Sequence, residues 1–195
     1  AAGSGGRAIF AGAVGDDAFG TVILTRLVAD GVDPALIRVV PTVPTGTAHV
    51  SYNNDGSRDF VFNMAHSAAA HLPSGAEIEA GFIAAGITVL HISGSMLGDV
   101  AMRAAAVDVC TRLHARGVAI SVDPNIRTEL MTDHGYLEAV TRLMAMATYV
   151  LPSDADADLL FPGRTFEDWS SELMAGGAGA VVLKRGADGC IGRDR

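Results

Sequence analysis

The feature that most constrains how this chain can fold is an apolar run at residues 118–122, which ends at the polar segment 123–127, Asp-Pro-Asn-Ile-Arg. A run without polar alternation is typical of a strand covered on both faces, as in a parallel sheet between layers of helices. Because proline cannot donate to a hydrogen-bonded ladder, we expect the strand to end before Pro124. Open α/β sheets bind ligands at the carboxyl ends of their strands, so Arg127 is a candidate site residue. The alternative is an arginine that pairs locally at the surface.

Strands and helices are predicted to alternate along most of the chain. Predicted helices cover about residues 76–85, 99–117, 136–147 and 166–174, after an earlier helix that Asp16 or Asp17 caps, and predicted strands cover 8–11, 87–92, 118–122, 148–151 and 180–183. This alternation predicts an α/β fold with a right-handed, mostly parallel sheet covered by helices. We expect residues 1–195 to form a single domain.

A β-hairpin is predicted to interrupt this alternation. Residues 47–52 and 58–63 have β-type composition, and the polar segment 53–56, Asn-Asn-Asp-Gly, is typical of a tight turn between them. We interpret about residues 43–64 as an insertion that projects from the sheet, either as a lid over a site or as a dimer surface. An ordinary edge hairpin is the alternative.

Composition limits the partners of this chain. It carries 14 basic and 22 acidic residues, a formal charge of −8, which disfavours nonspecific binding to nucleic acid or an anionic membrane. No apolar run approaches the roughly 20 residues that cross a bilayer, and the glycine-rich start lacks the order of a signal peptide. Cys110 and Cys190 lack metal-type spacing, so we expect reduced, mostly buried thiols in a cytoplasmic protein. Small molecules or other protein surfaces are the expected partners.

Polar or glycine-rich corners follow four of the predicted strands. They lie at residues 93–95, 123–127, 152–156 and 184–186, and in a parallel sheet they would outline a cleft along one edge. The corner that begins at Lys184 and Arg185 also contains two glycines, and its positive charge and backbone amides suit a phosphate ester. Its Asp188-Gly189 pair is equally typical of a simple tight turn.

Three carboxylates alternate after the corner at Pro152. Asp154, Asp156 and Asp158 could attract Mg²⁺, which usually keeps part of its water shell in proteins. The alternative is structural, because aspartate is favoured in the first turn of a helix.

Motifs of several other enzyme classes are missing from the sequence. The six histidines show no HExxH or other metal spacing, and the sequence contains neither a P-loop nor a Gly-x-Ser-x-Gly elbow. No predicted strand leads into Gly-x-Gly-x-x-Gly, which weighs against a Rossmann-type oxidoreductase.

Several segments, in their order and spacing, resemble the ribokinase (PfkB-type) family of sugar kinases. Residues 12–20, Gly-Ala-Val-Gly-Asp-Asp-Ala-Phe-Gly, are similar to the family's Gly-x-Val-Gly-Asp-Asp-x-Phe-Gly. Further similar segments lie at residues 30–33, 44–48, 55–58, 123–127 and 184–189. The resemblance implies a ribokinase-like three-layer α/β/α fold with a mostly parallel sheet and a small β lid.

This resemblance also implies a reaction and a set of site residues. The reaction is transfer of the γ-phosphoryl group of ATP to a hydroxymethyl oxygen of a small sugar, with Mg²⁺ neutralising the phosphates. The implied sugar-binding residues are Ala48, Val50, Phe62, Asn63, Gly94, Ser95 and Arg127. The implied nucleotide-binding residues are Ser153, Lys184, Arg185 and Gly186, and the implied metal-binding residue is Asp156. The family's catalytic Asp is expected beyond Arg195, so we expect no catalytic residue and no turnover in this chain alone.

Departures from the family pattern bear on the substrate. Ser153 and Asp156 stand where the family usually has the Asn and Glu of an Asn-x-x-Glu motif, so we expect weaker handling of the metal. Ala48 and Asn63 stand where sugar-acid kinases tend to have Tyr and Arg, which favours a neutral ketose of the fructose or tagatose type. The alternative substrate is a sugar acid, which would make the protein a 2-keto-3-deoxygluconate kinase. A non-catalytic sugar- or nucleotide-binding or scaffolding relative, with the hairpin as a dimer surface, is the alternative of another class.

Overall fold

Strands and helices alternate, as predicted, in the computed structural model, which describes residues 2–53, 58–64, 66–131 and 133–195. Contacts group the chain into two compact units, Ala1–Ile87 and Thr88–Arg195. The elements of the first unit are β1 (Ala8–Gly15), α1 (Ala18–Ala29), β2 (Val32–Val40), β3 (Thr47–Tyr52), β4 (Arg58–Asn63) and α2 (Gly75–Ala84). Those of the second are β5 (Val89–Ser93), α3 (Val100–Ala115), β6 (Ala119–Asp123), α4 (Gly135–Ala145), β7 (Tyr149–Val150), α5 (Asp154–Leu160), α6 (Phe166–Ala175), β8 (Ala180–Lys184) and β9 (Cys190–Asp194).

The first unit contains a parallel pair, β1 and β2, connected by α1. Asp17 caps α1 by accepting a 2.8 Å hydrogen bond from the Gly20 N–H, which confirms one of the two predicted caps. The sequence does not predict β2, because Asp33 followed by Pro34 is typical of a turn. The ladder shifts register where Ile9 pairs with Asp33 but Ala11 pairs with Leu36. That irregularity accommodates Pro34, which has no N–H to donate.

The predicted hairpin is formed by β3 and β4, which are antiparallel. Thr47 lies opposite Asn63, and Tyr52 lies opposite Arg58, so the strand bounds agree with the prediction. Residues 54–57 of the predicted turn lie outside the described residues.

The second unit is built on a five-stranded sheet in the order β5-β6-β7-β8-β9. The first four strands are parallel, as predicted, and β9 pairs antiparallel with β8. β9 is not predicted from the sequence. The parallel strands bring the four predicted corners to one edge of this sheet, because the carboxyl ends of parallel strands share an edge.

The strand that ends at the opening motif is buried on both faces, as its apolar run predicts. Ile120, Ser121 and Val122 are all buried in β6. β5 instead alternates, with Val89 44% exposed and Leu90 6% exposed, so this strand is covered mainly on one face. Helices α3 and α4 pack against each other, and α3 also packs against β5 and β6.

The two cysteines differ in environment. Cys110 is fully buried in α3, and burial raises the pKa of its thiol to about 12. Cys190 is exposed at the start of β9, so the expectation that both thiols are buried is wrong for Cys190. The sequence misses this because it does not reveal β9 as the last strand of the sheet.

Within the part of the chain that the structure describes, no helix is both long and apolar enough to cross a bilayer.

Candidate active site

The corner after β6 is shaped by short-range hydrogen bonds. The Asp123 Oδ1 accepts a 3.1 Å hydrogen bond from the Asn125 N–H, and the Asn125 Nδ2 donates to the Ser93 Oγ at 2.9 Å. Asn125 has a φ of 37°, in the left-handed region that asparagine tolerates better than most residues. These bonds fix the bend after β6 and join it to the end of β5.

Gly94 lies where two backbone segments approach closely. A Cβ atom on Gly94 would lie 1.9 Å from the carbonyl oxygen of Pro124, so a side chain at this position would displace the β6 corner. Beside it, the Ser93 and Ser95 hydroxyls are hydrogen-bonded at 3.0 Å. Gly94 and Ser95 therefore lie at the edge that carries Arg127, and their contact with a sugar stays a prediction.

Asp156 joins the start of α5 to the β6 corner. Its Oδ1 accepts a 2.7 Å hydrogen bond from the Ile126 N–H, and its Oδ2 accepts from the Ser153 N–H at 2.8 Å and the Ser153 Oγ at 2.7 Å. The Ser153 Oγ in turn accepts from the Asp156 N–H, which completes a capping box at the start of α5. Asp156 is only 2% exposed, and its carboxylate holds the residue that precedes Arg127.

The structure offers a poor direct fit for a magnesium ion at Asp156. Both carboxylate oxygens already accept hydrogen bonds from backbone or hydroxyl donors, and the residue is buried. Among the described residues, no three His, Cys, Asp or Glu side chains group as metal ligands would. The assignment of Asp156 to the metal therefore stays a prediction, and these contacts instead give the residue a structural role.

Arg127 follows this corner in extended backbone and is partly buried. Its N–H donates a 3.4 Å hydrogen bond to the Tyr136 hydroxyl, which belongs to α4. Tyr136 is completely buried, and burial raises the pKa of its hydroxyl, so it stays protonated. The backbone of Arg127 is thus anchored to α4 at the carboxyl edge of the sheet.

Lys184 is the last residue of β8 and lies in an ion pair with Asp123. Its Nζ is 2.5 Å from the Asp123 Oδ2, and its N–H donates to the Pro152 carbonyl oxygen at 2.8 Å. The ion pair spans the ends of β6 and β8, on either side of β7. The Lys184 side chain remains 43% exposed, so its ammonium group is reachable from solvent.

The turn after Lys184 connects β8 to β9. Within it, the Arg185 N–H bonds the Gly189 carbonyl oxygen at 2.8 Å, and the Asp188 N–H bonds the Arg185 carbonyl oxygen at 3.0 Å. Gly186 and Gly189 have φ of 54° and 82°, which favour glycine. The tight-turn interpretation of this segment is therefore confirmed, and two of its amides are used to close the turn. Phosphate binding by Arg185 and Gly186 stays a prediction.

The predicted lid residues divide between the two faces of the hairpin. Ala48 lies opposite Phe62, and Val50 lies opposite Phe60, so these four side chains share one face. The Phe60 and Phe62 rings stack with centroids 5.7 Å apart. Asn63 lies on the other face, where its Nδ2 donates to the Thr47 Oγ1 at 3.4 Å. Alternation of side chains along a strand separates Asn63 from the other three predicted sugar contacts.

The structure thus brings eight predicted site residues to the carboxyl ends of β5, β6, β7 and β8: Gly94, Ser95, Arg127, Ser153, Asp156, Lys184, Arg185 and Gly186. Two residues that sequence reasoning left out of the site gain importance, namely Asp123 and Phe60. The sequence contains a clue to Asp123. Lys184 is the only lysine in the chain, and a carboxylate partner for it is expected at the end of another strand of the sheet. The alternation of β4 was the signal for Phe60.

Comparisons with known proteins agree with this fold. The profile of the pfkB family carbohydrate kinases matches residues 1–194. The chain is 30% identical over 179 residues to the 2-dehydro-3-deoxygluconokinase of Bacillus subtilis and 28% identical over 185 residues to the fructokinase of Vibrio alginolyticus. These alignments cover 90% and 94% of this chain but 55% and 59% of the relatives.

A solved structure gives the same result. An E. coli ribokinase II candidate in complex with ATP and Mg²⁺ superposes with a TM-score of 0.87 at 33% sequence identity, covering 99% of this chain and 61% of that one. This chain belongs to the pfkB family of carbohydrate kinases and has the ribokinase-like α/β fold. It spans somewhat more than half the length of the relatives it matches.

Proposed function

We propose that the protein transfers the γ-phosphoryl group of ATP to a hydroxymethyl oxygen of a small ketose of the fructose or tagatose type. The observation that carries the proposal is the carboxyl edge of the second unit. There the backbone of Arg127, after β6, is bonded to Tyr136, and Lys184, at the end of β8, is paired with Asp123. Family membership supplies the reaction class. The ATP and Mg²⁺ complex of the E. coli relative supports the phosphoryl donor.

The chemistry asked of this edge is mainly positioning and charge. Phosphoryl transfer needs cations that neutralise the phosphate oxygens and a rigid frame that aligns donor and acceptor. We assign Lys184, Arg185, Gly186 and Ser153 to the nucleotide, and Gly94, Ser95 and Arg127 to the sugar. Mg²⁺ would supply further neutralisation of the phosphates when bound. Because the Asp156 carboxylate is already hydrogen-bonded, we propose that its role is to hold the segment after β6 in place.

The hairpin is proposed to be the sugar-facing lid. Ala48, Val50 and Phe62 share a face with Phe60, and this apolar face suits the carbon skeleton of a sugar. The same hairpin is also proposed to carry a homodimer contact, since Val61 is 60% exposed on the opposite face. We further propose that the protein works in the cytoplasm.

A sugar acid is the second candidate acceptor. The 30% identity to a 2-dehydro-3-deoxygluconokinase favours it, and the guanidinium group of Arg127 suits a carboxylate. A neutral ketose is preferred because Ala48, on the proposed sugar face of the hairpin, carries no positive charge for an acid.

A coupled assay of ADP release by the full-length protein tests these proposals. Fructose, tagatose and 2-keto-3-deoxygluconate are compared, and we expect a ketose to give the highest kcat/KM. Arg127→Ala should lower kcat/KM by about tenfold or more, equivalent to roughly 1.4 kcal/mol of transition-state stabilisation. A matched control is Arg142→Ala, at an exposed position of α4, which should leave kcat/KM unchanged.

Each outcome of this assay separates the candidates. A preference for the acid would replace the ketose with the second candidate. No ADP with any sugar, combined with calorimetric binding of a sugar, would replace catalysis by a non-catalytic binding role. Full activity of Arg127→Ala would remove that residue from the site.

A further inference from the structure

In the ion pair between Lys184 and Asp123, the carboxylate is held in place more firmly than the ammonium group. Asp123 is 21% exposed, and its second oxygen accepts the Asn125 N–H at 3.1 Å. The Lys184 side chain is 43% exposed, and its ammonium group is carried on a flexible stem of about four carbons. The ammonium group is therefore free to turn toward a ligand, whereas the carboxylate is fixed by the bend after β6.

The choice of lysine at this position is informative. Of the 14 Lys and Arg residues in the sequence, Lys184 alone is a lysine. The same unit contains a bidentate pair in which the Arg103 guanidinium donates to both oxygens of Asp133, at 2.7 and 3.1 Å. A guanidinium fork is suited to one lasting partner, whereas an ammonium group is a point charge that exchanges partners readily.

We propose that Asp123 is a positioning residue that holds Lys184 at the sheet edge before nucleotide binds, and that a nucleotide phosphate then takes the ammonium group from it. This inference rests on the proposed function, since it requires a nucleotide at the edge. Asp123 and the phosphate compete for one cation. The apparent Kd for nucleotide is therefore the intrinsic Kd divided by the fraction of molecules in which Lys184 is not held by Asp123.

The competition predicts that nucleotide binding becomes tighter when the Asp123 carboxylate is removed. Removal of a residue that only stabilises the site would instead weaken binding. General repulsion between Asp123 and the phosphate would also predict tightening. The two explanations differ when Lys184 is absent, because competition then has nothing to act on.

The experiment measures binding of the Mg²⁺ complex of adenylyl imidodiphosphate, a non-hydrolysable ATP analogue, by calorimetry without sugar in the full-length protein. Asp123→Asn should lower the Kd by about threefold or more, and Lys184→Met should raise it by about tenfold. The double variant should bind like Lys184→Met to within about twofold. Asp133→Asn, which breaks the Arg103 pair, is the matched control and should leave the Kd unchanged.

Several results would overturn the inference. An unchanged or higher Kd for Asp123→Asn leaves that residue with a structural role only. Equal tightening with and without Lys184 replaces competition by general repulsion. If the wild-type protein forms ADP from ATP and sugar but Asp123→Asn does not bind the analogue more tightly, the inference is wrong and the proposed function stands. Wild-type protein that neither binds the analogue nor forms ADP removes both. Thermal unfolding of each variant distinguishes a loss of affinity from a loss of the folded structure.

Discussion

At the scale of single residues, the carboxylates of the candidate site organise cations and backbone. Asp156 resembles a metal ligand by its place in the sequence, yet its oxygens accept hydrogen bonds from Ile126 and Ser153. Asp123 resembles a bend residue, yet it also pairs with Lys184. Residue type and spacing predict a metal ligand in the first case and a bend residue in the second. In both cases the hydrogen-bond partners in the structure reveal a further role.

The first prediction concerns Gly94. Gly94→Ala would place a Cβ atom 1.9 Å from the Pro124 carbonyl oxygen, so the backbone after β6 must move. We expect this overpacking to lower the free energy of unfolding by about 1–3 kcal/mol. Because Arg127 follows the displaced segment, kcat/KM should fall as well. Chemical denaturation and the ADP assay measure the two effects.

Gly192→Ala in β9 is the matched control, since its Cβ atom would meet only ordinary contacts at 3.6 Å. A stable Gly94→Ala variant with a raised KM for sugar would indicate direct contact between Gly94 and the sugar. A variant indistinguishable from wild type would show that the close approach to Pro124 does not constrain the corner.

At the scale of elements, periodicity and caps predict most of the second unit. Asp99 caps α3 as expected, and the parallel order of β5 to β8 follows from the alternation. β2 and β9 are missed for different reasons. For β2 the Asp33-Pro34 pair predicts a turn, whereas for β9 the sequence analysis predicts no element after the tight turn that follows β8. Which strand ends become neighbours, and hence which charges pair, depends on strand order, which the sequence does not specify.

Asp17 connects three elements of the first unit. Besides capping α1, its Oδ2 accepts the Thr45 N–H at 2.8 Å, and its Oδ1 accepts the Thr45 hydroxyl at 2.7 Å. The same hydroxyl accepts the Gly15 N–H at 2.9 Å, at the end of β1. Thr45 lies just before β3, so this carboxylate fixes the base of the hairpin.

The second prediction follows from these bonds. The hydrogen bonds from Thr45, followed by that from Gly20, lower the pKa of Asp17 below its usual value. A lowered folded pKa means that the stabilisation is present above the unfolded pKa and is lost as the pH falls through the folded value. Asp17→Asn, which presents an amide donor in place of one accepting oxygen, should therefore lower the urea midpoint at about pH 7 more than at about pH 3.

Circular dichroism is the appropriate signal for this measurement, because the only tryptophan, Trp169, lies in the second unit. The neighbouring Asp16→Asn is the matched control and should show a smaller loss at neutral pH. A constant difference between wild type and Asp17→Asn over the whole pH range would contradict the assigned role of the ionised carboxylate.

At the scale of the whole molecule, the two units carry different parts of the proposed function. The first unit contains the hairpin, and the second contains the strand ends with Arg127 and Lys184. Features of both units therefore support family membership. Each sequence motif alone is weak evidence for the family, but the motifs of both units in the same order are specific for it. The hairpin has two faces, and the proposed sugar contacts use only one.

The third prediction tests whether the other face forms a homodimer contact. Val61 is 60% exposed on the face opposite Ala48 and Val50, among mostly polar neighbours. We expect the full-length wild-type protein to sediment as a dimer and Val61→Lys to sediment as a monomer, because a charge buried at an interface without a partner is strongly unfavourable. Since Val61 lies on the face opposite the proposed sugar contacts, the loss of the dimer can be measured without a direct change to that face.

Val28→Lys on α1 is the matched control, because Val28 is 58% exposed in the same unit but outside the hairpin. That variant should remain dimeric, which would separate an effect of the hairpin from a general effect of added charge. A monomeric wild type, or a Val61→Lys variant that stays dimeric, would remove the hairpin face from the dimer contact. In that case sugar binding would be the remaining proposal for the hairpin, on the face where the Phe60 and Phe62 rings stack.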